Sequence, residues 1–142
     1  MKANPRAAPV FAFYLALIVF GITAATVIGL VRTRDDPAAG RAVERFGAAI
    51  RGHDGAAACH ELSDGMRKAL EDQEKKSCEE AVLGLGLTGG RVRRIDVAER
   101  SAKVDVAEDG SAFLDETAGG WKISALGCTP VHERPYECEA ES

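Results

Sequence analysis

The chain has 142 residues and a formal net charge of −4, a length that favours a single globular domain. All 22 acidic residues follow Arg34, whereas four of the 18 basic residues precede Asp35. The part from Asp35 onward therefore carries 14 basic and 22 acidic residues, a net charge of −8. This balance predicts no nucleic-acid partner, because phosphates are bound by clustered Lys and Arg. It also predicts no basic face for anionic lipid.

Residues 10–31 form an uninterrupted apolar run, VFAFYLALIVFGITAATVIGLV, without charge or proline. As a helix rising about 1.5 Å per residue, the run would be about 33 Å long, enough to cross a hydrocarbon core of about 30 Å. A cleaved signal peptide is the alternative, but its apolar region is usually only about 7–15 residues long. Thr23-Ala24-Ala25 is a weak cleavage site, and apolar residues continue past it. We therefore predict an uncleaved transmembrane helix that makes the protein integral to the membrane.

Charge does not decide the orientation of this span, because Lys2 and Arg6 precede it and Arg32 and Arg34 follow it. All four cysteines follow the span, and an even number of cysteines in a small domain is typical of disulfides formed outside the cytoplasm. We predict a single-pass protein of the cell membrane with its N-terminus in the cytoplasm. Its parts are residues 1–9 in the cytoplasm, the span 10–31, a polar stalk 32–40 and an extracytoplasmic domain 41–142.

Gly21, Ala25 and Gly29 recur every four residues on one face of the predicted span. Small residues at this spacing let two membrane helices approach closely. The pattern is compatible with a homodimer through the span, and equally with the ordinary abundance of glycine and alanine in such helices.

Three helices are predicted after the stalk from apolar residues at helical spacing and from their caps. The second is expected to break near Ser63, and Ser77 with Glu80 forms a capping box that starts the third. A glycine-rich loop over residues 84–90 follows and should place two leucines against the core. The helices are predicted over residues 38–51, 56–72 and 77–83.

Period-two alternation predicts four strands joined by short turns, the pattern of an antiparallel meander. Asp109-Gly110 and Gly119-Gly120 supply the turn signals. The tail from Cys128 has no regular pattern. The strands are predicted over residues 91–98, 101–107, 111–116 and 121–126. Ala102, Val104 and Val106 are expected on one face of the second strand, and Trp121, Ile123 and Ala125 on one face of the fourth.

The four cysteines allow three pairings. Cys59 is expected on the second helix and Cys78 at the start of the third, so that two adjacent helices would bring them within bridging distance. Cys128 and Cys138 flank a proline-containing loop, and a bond between them would pin the tail to the last strand. We favour these two disulfides. Because no Cys-x-x-Cys motif is present, we expect neither a metal site nor a redox dithiol.

Helices followed by a meander resemble the nuclear transport factor 2-like superfamily. The likeness covers about residues 38–128 and includes the Phe46 helix, the His53-Asp54-Gly55-Ala56 break and the two hairpin turns. Many members carry Gly-x-Trp-x-Ile/Val in the last strand, and Gly119-Gly120-Trp121-Lys122-Ile123 is close to that pattern. The resemblance implies an α+β cone of three helices packed on a curved four-stranded antiparallel sheet. The chain is also similar to small actinobacterial membrane-anchored or lipoprotein domains with paired cysteines and no assigned activity.

Enzymes of this superfamily place Asp, His or Tyr inside the cone for proton transfer. Asp96 and Asp105 lie on predicted strands, but each alternates with apolar neighbours and is expected to face water. The remaining polar candidates are interpreted as solvated or bridging groups, or lie in the span or the tail. They are His53, His60, His132, Tyr14, Tyr136, Arg67, Lys68, Lys75, Lys76, Arg91, Arg93 and Arg94.

We therefore predict no catalytic residue, cofactor or metal. The predicted function is that of a non-enzymatic extracytoplasmic domain that binds a small apolar ligand or a partner membrane protein. One alternative is an isomerase or dehydratase that uses an acid inside the cone. Another is a structural module of an envelope complex, dimerised through Gly21, Ala25 and Gly29. An open apolar cone with a strongly perturbed acid would favour the enzyme, and a cone filled by side chains would favour docking.

Overall fold

The structure, a computed structural model, describes residues 37–131 and 136–142, which belong to the compact unit Asp35–Ser142. The predicted span 10–31, with Gly21, Ala25 and Gly29, lies outside these residues, as does His132. Among the helices of the described part, none has the length and apolarity that crossing a membrane requires.

Four helices precede the sheet, where three were predicted. Ser63 divides the predicted second helix because its backbone is extended (ψ 158°) and its hydroxyl accepts a hydrogen bond from the Met66 amide, which caps the next helix. The first helix begins at Pro37, close to the predicted start at residue 38, and Ala39 and Gly40, which also fall within the predicted stalk 32–40, are buried in its first turn. The helices are α1 Pro37–Arg51, α2 Gly55–Glu61, α3 Asp64–Glu74 and α4 Cys78–Gly84.

Five antiparallel strands follow, one more than predicted, and they lie in the sheet in chain order. The additional strand comes from the tail, where Ala140 pairs with Leu126. The α+β class and the antiparallel meander are confirmed, and the strand count is corrected. The strands are β1 Val92–Ala98, β2 Ser101–Val106, β3 Gly110–Thr117, β4 Gly120–Cys128 and β5 Ala140–Glu141.

The core lies between the helices and one face of the sheet, and α1 contacts β1, β2 and β4. Leu85 and Leu87 of the glycine-rich loop pack against it, as predicted. Complete burial of a Leu, Ile or Met side chain stabilises by about 1.5–3 kcal/mol, so the fully buried residues account for much of the packing energy. The largest of them are Leu62, Met66, Leu70, Leu114, Ile123, Val82 and Val104.

Irregular pairing between β3 and β4 changes the face of the sheet on which the side chains at the end of β4 lie. The register shifts on both sides of Phe113. Trp121 and Ile123 belong to the core as predicted, but Ala125 is buried outside the core cluster, in a recess shared with Phe113 and Tyr136. A bulge inserts one residue and reverses the following side chains, which a period-two pattern cannot reveal.

Candidate functional site

Two disulfides, Cys59–Cys78 and Cys128–Cys138, join the cysteines in the pairs that the sequence favours. The first connects α2 to the first residue of α4, and the second connects the end of β4 to the tail. Disulfides persist in oxidising compartments and are rare in the cytosol, so the two bonds indicate an oxidising, extracellular environment. Within residues 37–131 and 136–142, no group of His, Cys, Asp and Glu could hold a metal ion.

The space between α1, the glycine-rich loop and the sheet is almost filled. Its cavity measures about 20 Å³ and is lined by Val43, Phe46, Val106, Leu126 and their neighbours. That volume holds about one water molecule, whereas small-molecule sites usually measure about 300–1,000 Å³. Asp109 is the one ionisable residue in its lining.

Asp109 anchors the glycine-rich loop. Its Oδ1 accepts hydrogen bonds from the Thr88 amide (2.7 Å) and hydroxyl (2.9 Å), and its Oδ2 accepts one from the Gly90 amide (2.9 Å). Burial raises the pKa of Asp109, but these hydrogen bonds outweigh it and lower the pKa below the usual value. A general base works best with a pKa near the operating pH. This carboxylate is therefore suited to holding the loop rather than to proton transfer.

Neither of the two acids considered from the sequence lines this cavity. Asp96 is exposed, and its Oδ1 lies 2.9 Å from Arg94 Nε. Asp105 Oδ1 accepts a hydrogen bond from the Ser111 hydroxyl at 2.7 Å and lies 2.9 Å from Lys103 Nζ. Burial opposes ionisation of Asp105, but the bonds from Lys103 and Ser111 are stronger and lower its pKa. Both carboxylates are held by cations on the sheet.

The tail packs on the sheet beside the ion pair of Asp105 and Lys103. The Tyr136 ring packs edge-on against Phe113, with 5.0 Å between centroids, and Lys103 Nζ lies 5.6 Å from the Tyr136 centroid. Hydrogen bonding to Asp105 raises the pKa of Lys103, burial opposes this, and Tyr136 reinforces it. Together with the Cys128–Cys138 bond, these contacts attach the tail to the sheet. The sequence placed Tyr136 in an irregular tail and could not show this contact.

An open groove runs between α1 and α2, and we call it the α1–α2 groove. Small residues form its floor and charged residues its rim. Asp54 at one end caps α2 by accepting the Ala57 amide at 2.9 Å. The groove is lined by Arg45, Ala48, Ala49, Gly52, Asp54, Ala57, His60 and Glu61.

Glu61, at the edge of this groove, is the one charged residue that is buried among those described, with 5% of its surface exposed. Arg45 binds it through two bonds, Nε to Oε1 at 2.9 Å and Nη2 to Oε2 at 2.8 Å. Burial raises the pKa of Glu61, but the bidentate Arg45 outweighs this and lowers it. The ion pair ties α1 to α2 across 16 residues of sequence. The sequence signal that could have identified Glu61 as buried is an acidic residue at helical spacing among apolar residues.

The other polar candidates from the sequence stay at the surface. His53 is exposed with a left-handed backbone (φ 54°), and His60 has 78% of its side chain exposed. His60 Nδ1 lies 3.5 Å from Glu61 Oε1, and Lys122 Nζ donates to the His60 carbonyl. The predicted solvated residues are exposed; they are Arg67, Lys68, Lys75, Lys76, Arg91, Arg93 and Arg94.

Comparison of this chain with protein-family models, with curated proteins and with solved structures gave no match.

Proposed function

We propose that this chain is a single-pass membrane protein whose extracytoplasmic domain is a non-enzymatic docking module for a partner membrane protein. The span 10–31 would hold the domain at the bilayer, with residues 1–9 in the cytoplasm. The two disulfides support the extracytoplasmic placement of the domain. We also propose a nuclear transport factor 2-like fold, which the order of helices and meander and the position of Trp121 in β4 support.

The filled interior is the observation that carries the docking proposal. A cavity of about 20 Å³ leaves no room for a small apolar ligand or a substrate. The acid beside it, Asp109, has a lowered pKa and three hydrogen-bond donors. An isomerase or dehydratase that worked inside the domain would need space and a base with a raised pKa. Recognition at the surface therefore fits the described residues better than chemistry in the interior.

The α1–α2 groove is the surface proposed for docking. Its floor of alanine and glycine lets another backbone approach closely, and its rim offers both charge signs through Arg45 and Asp54. A protein segment can fill such a shallow groove and pair with its rim, whereas a small molecule would remain largely exposed.

The experiment is copurification of the full chain in mild detergent, with quantitative mass spectrometry of the recovered proteins. Ala48→Trp and Ala57→Trp fill the groove from its two helices, and both alanines are exposed, so the fold should tolerate them. Ala118→Trp adds the same bulk in the exposed β3–β4 turn and is the matched control. We expect one protein to be recovered with the unmodified chain and with Ala118→Trp, and lost with both groove variants. Identical recovery with all four chains, or no enriched protein, would refute docking at this groove.

A further inference from the structure

The two disulfides differ in how easily a dissolved reagent can reach them. Cys59 and Cys78 are both buried between helices, with 7% and 6% of their surface exposed. Cys128 is completely buried, but its partner Cys138 is partly exposed and lines the open recess beside Phe113. Structural disulfides resist reduction, whereas exposed ones are more often labile or regulatory. The Cys128–Cys138 bond is therefore the more accessible of the two, and it can be approached from the Cys138 side.

The recess provides the route of approach. It measures about 440 Å³, within the range of about 300–1,000 Å³ that accommodates small molecules. Ser124, Glu141 and Ser142 form part of its lining, and all three are at least partly exposed. A thiol can therefore enter the recess and reach Cys138 while the helices and the sheet stay packed.

The segment that this bond holds is the end of the sheet. Beyond the pairing of β5 with β4, the Glu139 amide bonds to the Leu126 carbonyl and the Ser142 amide bonds to the Ser124 carbonyl, both at 3.0 Å. Of the tail residues 136–142, only Ala140 belongs to the core cluster. Opening of the bond should therefore release the tail locally and leave the rest of the core in place.

We propose that Cys138 is a site of thiol–disulfide exchange at which an external dithiol protein reduces the Cys128–Cys138 bond and releases the tail. A thiolate of the dithiol attacks Cys138 Sγ, the bond between the two cysteines breaks, and its electron pair leaves on Cys128 Sγ, which takes up a proton. The second thiol of the reductant then displaces Cys138 from the mixed disulfide. The dithiol is thereby oxidised to a disulfide, and the chain gains two electrons and two protons. Because the chain is the substrate of this exchange, it needs no Cys-x-x-Cys motif of its own.

Release of the tail changes the end of β4 from an inner strand to an edge strand. In the oxidised chain, β5 pairs with the outer side of β4 at Ala125 and Leu126. In the reduced chain, the Leu126 carbonyl loses its donor from the tail, and Phe113 loses the Tyr136 ring that packs against it. An open edge offers backbone N–H and C=O groups to another strand. The redox state of one bond thus decides whether this part of the sheet is covered.

The test is reduction of the full chain in detergent micelles by dithiothreitol without denaturant. Alkylation at successive times, followed by peptide mapping, shows which cysteines have been freed. We expect Cys128 and Cys138 to be freed together, at least about tenfold faster than Cys59 and Cys78, because the bond between the helices is reached only when the helices separate.

Two further measurements test the route and the attacked sulfur. Glu141→Trp fills the recess and should slow the reduction severalfold, whereas Ala118→Trp adds the same bulk in the exposed β3–β4 turn and should leave the rate unchanged. Reaction with the monothiol glutathione, quenched by an alkylating agent, should place the glutathione adduct on Cys138 and the alkyl group on Cys128.

Amide hydrogen exchange of the chain reduced at this bond measures the release. The Glu139 and Ser142 amides should exchange faster than in the oxidised chain, while the Ser63 amide, which bonds to the Ile123 carbonyl at 2.8 Å, should keep its protection.

Four results would each overturn the proposal. They are a Cys128–Cys138 bond that is not reduced first, a glutathione adduct on Cys128, equal reduction rates for Glu141→Trp and Ala118→Trp, and tail amides that stay protected after reduction. Loss of protection at Ser63 would also overturn it, because the domain would then unfold as a whole instead of releasing its tail.

Discussion

Loss of the Cys59–Cys78 disulfide should destabilise the whole domain. The bond joins α2 to α4 and encloses α3, and both cysteines are buried, at 7% and 6% exposure. The double variant Cys59→Ala/Cys78→Ala removes the bond without leaving a free thiol at either position. Alanine suits both helical sites and adds no polar group to the core.

The expected magnitude follows from the length of the closed loop. The two cysteines are 19 residues apart, and the chain-entropy relation gives about 3 kcal/mol for a loop of this size. Small domains are commonly stable by about 5–15 kcal/mol, so the variant should remain folded at 25 °C with a much reduced margin. The Cys128–Cys138 loop spans 10 residues and holds the tail. Its removal should mainly release Glu139 and Ser142, whose amides bond to β4.

Urea denaturation of the fragment 35–142, followed by circular dichroism, measures the first effect, and amide exchange measures the second. We expect the denaturation midpoint of Cys59→Ala/Cys78→Ala to fall with little change in slope. For Cys128→Ala/Cys138→Ala, we expect faster exchange at Glu139 with a smaller fall in midpoint. A free energy of unfolding unchanged by loss of Cys59–Cys78, within about 0.5 kcal/mol, would refute the view that this bond braces the helices.

Three further predictions concern contacts within the domain. Gly90→Ala should unfold the domain or lower its free energy of unfolding by about 3 kcal/mol or more, because the new Cβ would lie 1.8 Å from the Ala107 carbonyl oxygen. In the control Gly84→Ala the new Cβ meets nothing within 4 Å, so this variant should be neutral or stabilising. Thermal unfolding compares the two variants. The folded pKa of Asp109 is lowered, so its carboxylate stabilises above an unfolded pKa of about 3.9 and loses this effect as pH falls through the folded pKa. Asp109→Asn should therefore be less stable than the unmodified domain at pH 7 and approach it below about pH 4 in urea titrations, and a constant difference would contradict this. Tyr136→Ala should speed cleavage of the tail by a glutamate-specific protease, for example at Glu137, while leaving the far-ultraviolet spectrum unchanged, because it removes the packing on Phe113.

The features predicted correctly are those encoded over a few neighbouring residues. The capping box at Ser77 starts α4, and alternation around Val104 identifies β2 and its buried face. The short turns, of two or three residues, fix which strands are neighbours. These signals were sufficient for the α+β class and for an antiparallel meander.

The features that were missed depend on contacts between distant residues. β5 exists because the tail returns to Leu126, and an isolated dipeptide carries no strand pattern. Arg45 and Glu61 are 16 residues apart, and Thr88 and Asp109 are 21 apart, so no local spacing connects either pair. The bulge at Phe113 likewise arises between strands and moves Ala125 out of the core. Pairings of this kind are set by tertiary packing rather than by periodicity.

The placement of the domain is tested most directly by a membrane-impermeant protease added to intact cells that produce the full chain with an epitope at its C-terminus. An extracytoplasmic domain predicts loss of the epitope from intact cells while a cytoplasmic control protein is spared. Survival of the epitope in intact cells, with loss only after lysis, would contradict an anchored domain on the oxidising side of the membrane.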